Sequence, residues 1–146
     1  MIIPAGEAEF AALLMGKSAI APPEVLEMLA KLAAGIRSQF SPSAWLVEAN
    51  GEIVGLCSLV RPPEDGILTI GYGIASDHMG KGHASDAVGE IIDWARSDQR
   101  VHTVAAETNH ENIASQRVLE HNDFARVGER FDDEDGALIC WRCETS

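Results

Sequence analysis

The sequence predicts a mixed α/β fold, and three observations carry that expectation. Two β-like runs, Ala44–Ala49 and 53–60, are joined by Asn50-Gly51, a dipeptide suited to the positive φ angles of a tight hairpin. Apolar stripes at helical spacing lie on either side of them. Val25, Met28, Leu29, Leu32 and Ile36 come before, and Ala84, Ala87, Val88, Ile91, Ile92 and Ala95 come after. The tail reads as two more β-like runs, 125–131 and 137–143, around Asp132-Asp133-Glu134-Asp135-Gly136. Strands therefore alternate with helices and end in a hairpin.

Taken in order, Ile2-Ile3-Pro4 forms a very short strand, and a helix over 6–16 buries Phe10, Leu13 and Leu14. Pro22-Pro23 opens a second helix, since proline suits the first helical turn, and its apolar stripe is expected to face the core. From Ser43 the period changes to that of strands. After the hairpin, 61–66 is a loop and 67–75 a third strong strand. A glycine-punctuated segment, 76–82, leads into a helix over 83–97, then a strand over 102–107 and a helix over Ile113–His121. Internal repeats and low-complexity stretches are absent.

At 146 residues and 46% hydrophobic, the chain is expected to be one domain over 1–146 with a core that needs no disulfide or structural metal. No apolar run reaches the roughly 20 residues of a membrane-spanning helix, and MIIPAGEAEF does not read as a signal peptide, so a soluble cytoplasmic protein with no membrane partner is expected. Eleven basic against twenty-three acidic residues give a net charge of −12, which argues against nucleic acid as a partner.

Cysteine and histidine usage points away from metal and redox chemistry. Cys140-Trp-Arg-Cys143 has metal-like spacing, but it lies in a strand-like run that puts the two thiols on opposite faces, and no second ligand pair accompanies it. A redox pair would instead open a helix. Cys57 stands alone, and His78, His83, His102, His110 and His121 are scattered. The acidic turn at 132–136 fails as a calcium loop, because Phe131 and Arg142 stand where acids should. No metal is expected.

The segment from Ile67 to Phe124 carries the chemistry. A buried strand runs into Met79-Gly80-Lys81-Gly82-His83-Ala84, which opens a helix. The first amides of a helix lack internal partners, the dipole adds positive charge there, and two glycines let backbone fold closely round an anion. Dinucleotide and Walker loops do not fit: Ser85 and Ala75 stand where glycines are needed, and Gly82 stands where a Walker loop has serine or threonine.

This strand–GKGHA–helix unit, with Ile70-Gly71-Tyr72 before it and Asn112-Ile113-Ala114-Ser115-Gln116-Arg117-Val118-Leu119-Glu120 after it, resembles the GNAT superfamily of acetyl-CoA-dependent N-acetyltransferases. Within it, the likeness is to the RimJ/RimL branch that acetylates ribosomal-protein N-termini. The resemblance spans roughly residues 44–127 and is loose before that. It implies a mixed, mostly antiparallel sheet of six or seven strands with about four helices, splayed between 67–75 and 102–107 to admit the thioester. It also implies acetyl-CoA as cosubstrate, with its pyrophosphate on the amides of Met79, Gly80, Lys81, Gly82, His83 and Ala84. The pantetheine arm would pair with backbone near Ile74 and Ala75, beside Asn112 and Ser115.

The acceptor implied is a primary amine, on a small molecule or at a protein N-terminus, attacking directly in a ternary complex. Relatives are often homodimers, although no self-complementary patch is legible. An amine of pKa about 8–10 must lose a proton before it attacks. Glu107 matches the strand-end glutamate of related enzymes as base, and it also reads as a carboxylate that merely pairs at a strand end. Ser115 would protonate the departing thiolate or only hydrogen-bond the sulfur. Tyr72 would line the acceptor pocket or pack with its hydroxyl satisfied.

Several positions depart from the family pattern. Asp77 stands where glutamine or arginine is usual, and Leu119 where many relatives have a tyrosine acid. Asp123 replaces a glycine, with Asn122 expected to take the left-handed conformation. These departures keep open a second reading, a CoA-binding regulatory module without catalysis.

Overall fold

The computed structural model describes residues 1–16 and 20–145. Its strands are β1 (Ile2–Pro4), β2 (Ala44–Ala49), β3 (Glu52–Leu59), β4 (Ile67–Ile74), β5 (Thr103–Asn109), β6 (Ala125–Asp132) and β7 (Gly136–Glu144). Its helices are α1 (Glu7–Met15), α2 (Pro23–Arg37), α3 (His83–Arg96) and α4 (Ile113–His121). The strands form one sheet in the order β1-β2-β3-β4-β5-β7-β6. Only β4–β5 is parallel, as the crossover through α3 requires. The expected mixed, mostly antiparallel sheet with four helices is what forms. The sequence reading missed a 3-10 turn at Ser76–His78.

Side-chain alternation divides the core between the two faces. On one face Trp45, Cys57, Leu68, Ile70 and Val104 pack with Val88, Ile91 and Ile92 of α3, and Trp45 meets Trp94 edge-on at 5.3 Å. On the other, Ala44, Leu46 and Leu56 pack with Phe10 and Leu13 of α1 and Leu26 and Ala33 of α2. Trp141 is buried on the α3 face, while Leu14 of α1 is more exposed than expected, at 39%.

The expected core-facing stripe of α2 holds at Ile36 and, packed against the core, at Leu29 and Leu32, but not at Val25 and Met28. Leu26, Ala33 and Ile36 are buried, whereas Met28 is 58% exposed and Leu29 and Leu32 are only half-buried. The left-handed residue after α4 is Asp123 (φ 63°) and not Asn122 (φ −97°). Asn122 instead donates from Nδ2 to the carbonyls of Ser85 (3.1 Å) and Val118 (2.9 Å). Its side chain needs ordinary backbone to make that tie between α4 and the start of α3.

Glycine is required where β3 meets the end of β4. A Cβ on Gly55 would lie 2.4 Å from the carbonyl oxygen of Gly73 and 2.7 Å from Cδ1 of Ile74. Gly55→Ala is therefore expected to cost about 1–3 kcal/mol, which lowers Tm by roughly 5 °C at this chain length. A thermal melt checks it, and an unchanged Tm would show that β4 yields freely.

Candidate active site

Pairing between β4 and β5 runs from Ile67↔Thr103 to Ile70↔Ala106 and stops, although β4 continues to Ile74 and β5 to Asn109. The two strands diverge beyond that point, which is the opening that the family resemblance implies. Which backbone groups line it follows from alternation. Thr69 accepts from Val60 and Ala75 donates to Val54, so odd-numbered residues of β4 bond β3, and Tyr72 and Ile74 point their N–H and C=O groups into the opening. On β5, His110 donates to Ala137, so even-numbered residues bond β7 and Glu107 and Asn109 face the opening.

Ile74 and Ala75 therefore differ. Both backbone groups of Ala75 are engaged, its N–H with Val54 (2.8 Å) and its carbonyl with the N–H of His78 (2.9 Å). The pairing edge is Ile74 with Tyr72, and Ala75 adds no free donor.

Below the opening, the 3-10 turn brings the chain round to the start of α3. Gly80 (φ 76°) and Gly82 (φ 84°) hold left-handed conformations that L residues rarely adopt. Among the described residues, no acceptor meets the N–H groups of Gly80, Lys81, Gly82, His83, Ala84 or Ser85. Met79 does have one, at 3.4 Å from the Ser76 carbonyl. A Cβ on either glycine would meet nothing within 4 Å, so the space above these amides is open. Lys81 is exposed beside it, and Asp77 is exposed in the 3-10 turn. The arrangement fits a diphosphate: unpartnered donors, a helix dipole and a nearby cation.

Across the opening, α4 begins at Asn112, whose Oδ1 accepts from Ser115 N–H at 3.1 Å as an N-cap. The Tyr72 hydroxyl donates to the Ser115 carbonyl at 3.3 Å, tying the free end of β4 to α4. Burial pushes the Tyr72 phenol up to about 12, with the Ser115 side chain working against it and Cys57 adding to it. The hydroxyl is thus satisfied on the α4 side. Leu119, fully buried in the core, offers no proton there.

Glu107 lies one residue past the last β4–β5 pair, on the face opposite α3. Its carboxylate is not free. Arg130 of β6 grips it with Nε on Oε2 and with Nη2 on Oε1 at 2.9 Å, Arg61 stands 3.7 Å away, and the Cys140 thiol donates at 3.7 Å. These hydrogen bonds, Arg130's foremost, hold its carboxyl below the usual range. Neither arginine was legible as its partner. Arg130 is 23 residues away, and only the β5-β7-β6 order brings it back over Cys140. Cys140 and Cys143 do lie on opposite faces: Cys140 pairs Glu107, and Cys143 sits in the α3-side core.

Comparison with known proteins gives this geometry a family. The profile of the Acetyltransferase (GNAT) domain matches residues 8–125. An uncharacterized N-acetyltransferase of Bacillus subtilis (strain 168), YjdG, is 33% identical over 56% of this chain and 50% of its own length. Another uncharacterized N-acetyltransferase, p20 of Bacillus licheniformis, is 27% identical over 72% of the chain and 58% of its own. The chain thus spans about half the length of these curated relatives. Among solved structures, RimL, a ribosomal L7/L12 α-N-protein acetyltransferase in complex with coenzyme A, has a TM-score of 0.78 at 15% identity, covering 98% of this chain and 92% of that one. Mycobacterium smegmatis RimJ with CoA-disulfide has a TM-score of 0.75 at 19% identity, with coverages of 98% and 80%. At such identities the likeness is one of fold.

Proposed function

Because this chain belongs to the acetyltransferase (GNAT) domain family, we propose that it transfers acetyl from acetyl-CoA to a primary amine by direct attack in a ternary complex. The observation that carries the reading is the run of unpartnered amides from Gly80 to Ser85, set beside an opening between β4 and β5. In this reading 1–146 is one acetyltransferase domain of the RimJ/RimL-like branch. Support for the branch comes from the Ile70-Gly71-Tyr72, 80–84 and 112–120 motifs together with the fold it shares with RimL and RimJ. The reading takes the enzyme to be cytoplasmic; no described helix is long and apolar enough to cross a membrane.

Acetyl-CoA supplies the activated acyl group, and the chain does the rest by position. The amides over 80–85 take the diphosphate, and the backbone of Ile74 extends the sheet onto the pantetheine arm. That leaves the thioester between the diverging edges, where the N–H of Ile74 or Tyr72 is placed to receive charge developing on the carbonyl oxygen. Glu107, at the mouth on the other face, accepts the amine's proton, directly or through water. The Ser115 hydroxyl is the group left to hydrogen-bond the leaving sulfur.

Acetyl-CoA at a hundredfold excess over its Kd should stabilise the fold by about 2.7 kcal/mol. At this chain length that raises Tm by roughly 5–10 °C. A thermal shift measures it, and no shift would defeat the reading. The second reading, a silent CoA-binding module, draws on Leu119 being core and on Arg130 occupying Glu107. It predicts the same shift with no thiol released from acetyl-CoA by any amine.

A further inference from the structure

Part of the α2 stripe that the sequence assigns to the core also borders a cavity. Between α2 and strands β3 and β4 lies a cavity of about 300 Å³, lined by Val25, Leu29 and Leu32 of α2, Leu56 of β3, and Gly71 and Gly73 of β4. Among the described residues no charged side chain lines it, and the Ser58 hydroxyl is spent on the Leu59 carbonyl at 3.0 Å. Gly73 keeps its floor open, since a Cβ there would meet nothing within 4 Å.

Its position matters more than its size. Gly71 follows Ile70, the last residue of β4 paired to β5, and Glu107 follows Ala106, its partner. By alternation Gly71, Gly73 and Glu107 share the sheet face opposite α3. Cavity and carboxylate therefore flank the same mouth, one on each side of the opening.

We propose that this cavity seats the substituent of the acceptor, and that the acceptor is a primary amine carrying a compact, uncharged apolar group. The proposal rests on the acetyltransferase reading above and names its substrate class. A cavity of about 150 Å³ admits benzene, so one about twice that size takes a group of roughly six to ten carbons. A second ammonium in it would be desolvated without a partner, which disfavours polyamines and aminoglycosides. The net charge of −12 draws every cation alike, so the choice among amines falls to the cavity. Such a group occurs on a free amine or as the first side chain of a peptide.

The test measures thiol release from acetyl-CoA with isoamylamine, phenethylamine, a hexapeptide beginning with leucine, spermidine and kanamycin. Parent protein is expected to show kcat/KM at least tenfold higher for the apolar amines or the peptide than for spermidine or kanamycin. Whichever of the two apolar arms is preferred identifies the source. Gly73→Leu, which fills the cavity, should raise KM for the apolar acceptors about tenfold while the acetyl-CoA thermal shift stays. Val25→Glu, at a rim position 37% exposed and tolerant of change, should move preference toward spermidine and keeps the test alive if Gly73→Leu fails to fold. Preference for spermidine or kanamycin in the parent, or unchanged apolar kinetics in both variants, overturns this proposal alone. Absence of both turnover and thermal shift overturns the acetyltransferase reading with it.

Discussion

Gly82→Val is expected to weaken acetyl-CoA binding about a hundredfold while lowering Tm by only a few degrees. Gly82 has φ 84° and opens α3 with its N–H unpartnered, and the volume its Cβ would enter holds no protein atom. In the free protein the substitution meets only backbone strain, of order 1–3 kcal/mol for a β-branched residue in the left-handed region. In the proposed complex the added carbons would stand where a diphosphate oxygen approaches. Losing or lengthening two hydrogen bonds to a charged group costs about 3 kcal/mol, close to two orders of magnitude in Kd. Lys81→Ala is the contrasting variant: it removes an exposed charge and leaves the amides in place, so its loss should be severalfold and should shrink in high salt. Isothermal titration with acetyl-CoA reads both. An unchanged affinity in Gly82→Val would move the diphosphate elsewhere.

That prediction was available from the sequence, because everything the loop needs is local. A strand, two glycines and a helix start sit within a few residues of one another, and the proposed binding groups are backbone amides, present whatever the side chains are. Element order and the hairpin at Asn50-Gly51 were legible for the same reason, whereas the divergence of β4 from β5 was expected only through the family resemblance. What failed depended on packing between distant segments. Val25 and Met28 were wrongly assigned to the core face of α2, because apolar residues at helical spacing look alike in sequence whether they meet a core, a cavity or solvent. Asp123 takes the left-handed turn because Asn122 is occupied by Ser85, a residue 37 positions away. The environment of Glu107 was beyond reach for the same cause, since the β5-β7-β6 order places Arg130 upon it.

Glu107→Gln then separates the two roles its carboxylate can play. If Glu107 accepts the proton, kcat/KM should fall by 10²–10⁴ near neutral pH. The gap should close as pH rises toward the amine's own pKa, where free amine no longer needs a base. If the carboxylate only pairs with Arg130, kcat/KM should follow the parent's at every pH and only stability should change. The sign of that change is fixed by its lowered pKa: the pair stabilises the fold above the ordinary carboxylate range, and its contribution fades as pH falls through the depressed value. Arg130→Ala is the complementary probe. It deletes the main cause of the lowering, so Glu107 becomes a stronger base and, with only Arg61 and the Cys140 thiol still beside it, opens to an arriving ammonium. A catalytic Glu107 therefore makes Arg130→Ala no slower than the parent at neutral pH, with a lower KM for the amine, although the fold is less stable. A pairing role makes the two variants alike, each less stable and neither altered in its pH–rate profile. Opposite movement of kcat, together with a Glu107→Gln deficit that closes as pH rises, is the outcome that proton transfer explains, whereas opposite movement confined to KM reports only the changed attraction for the ammonium.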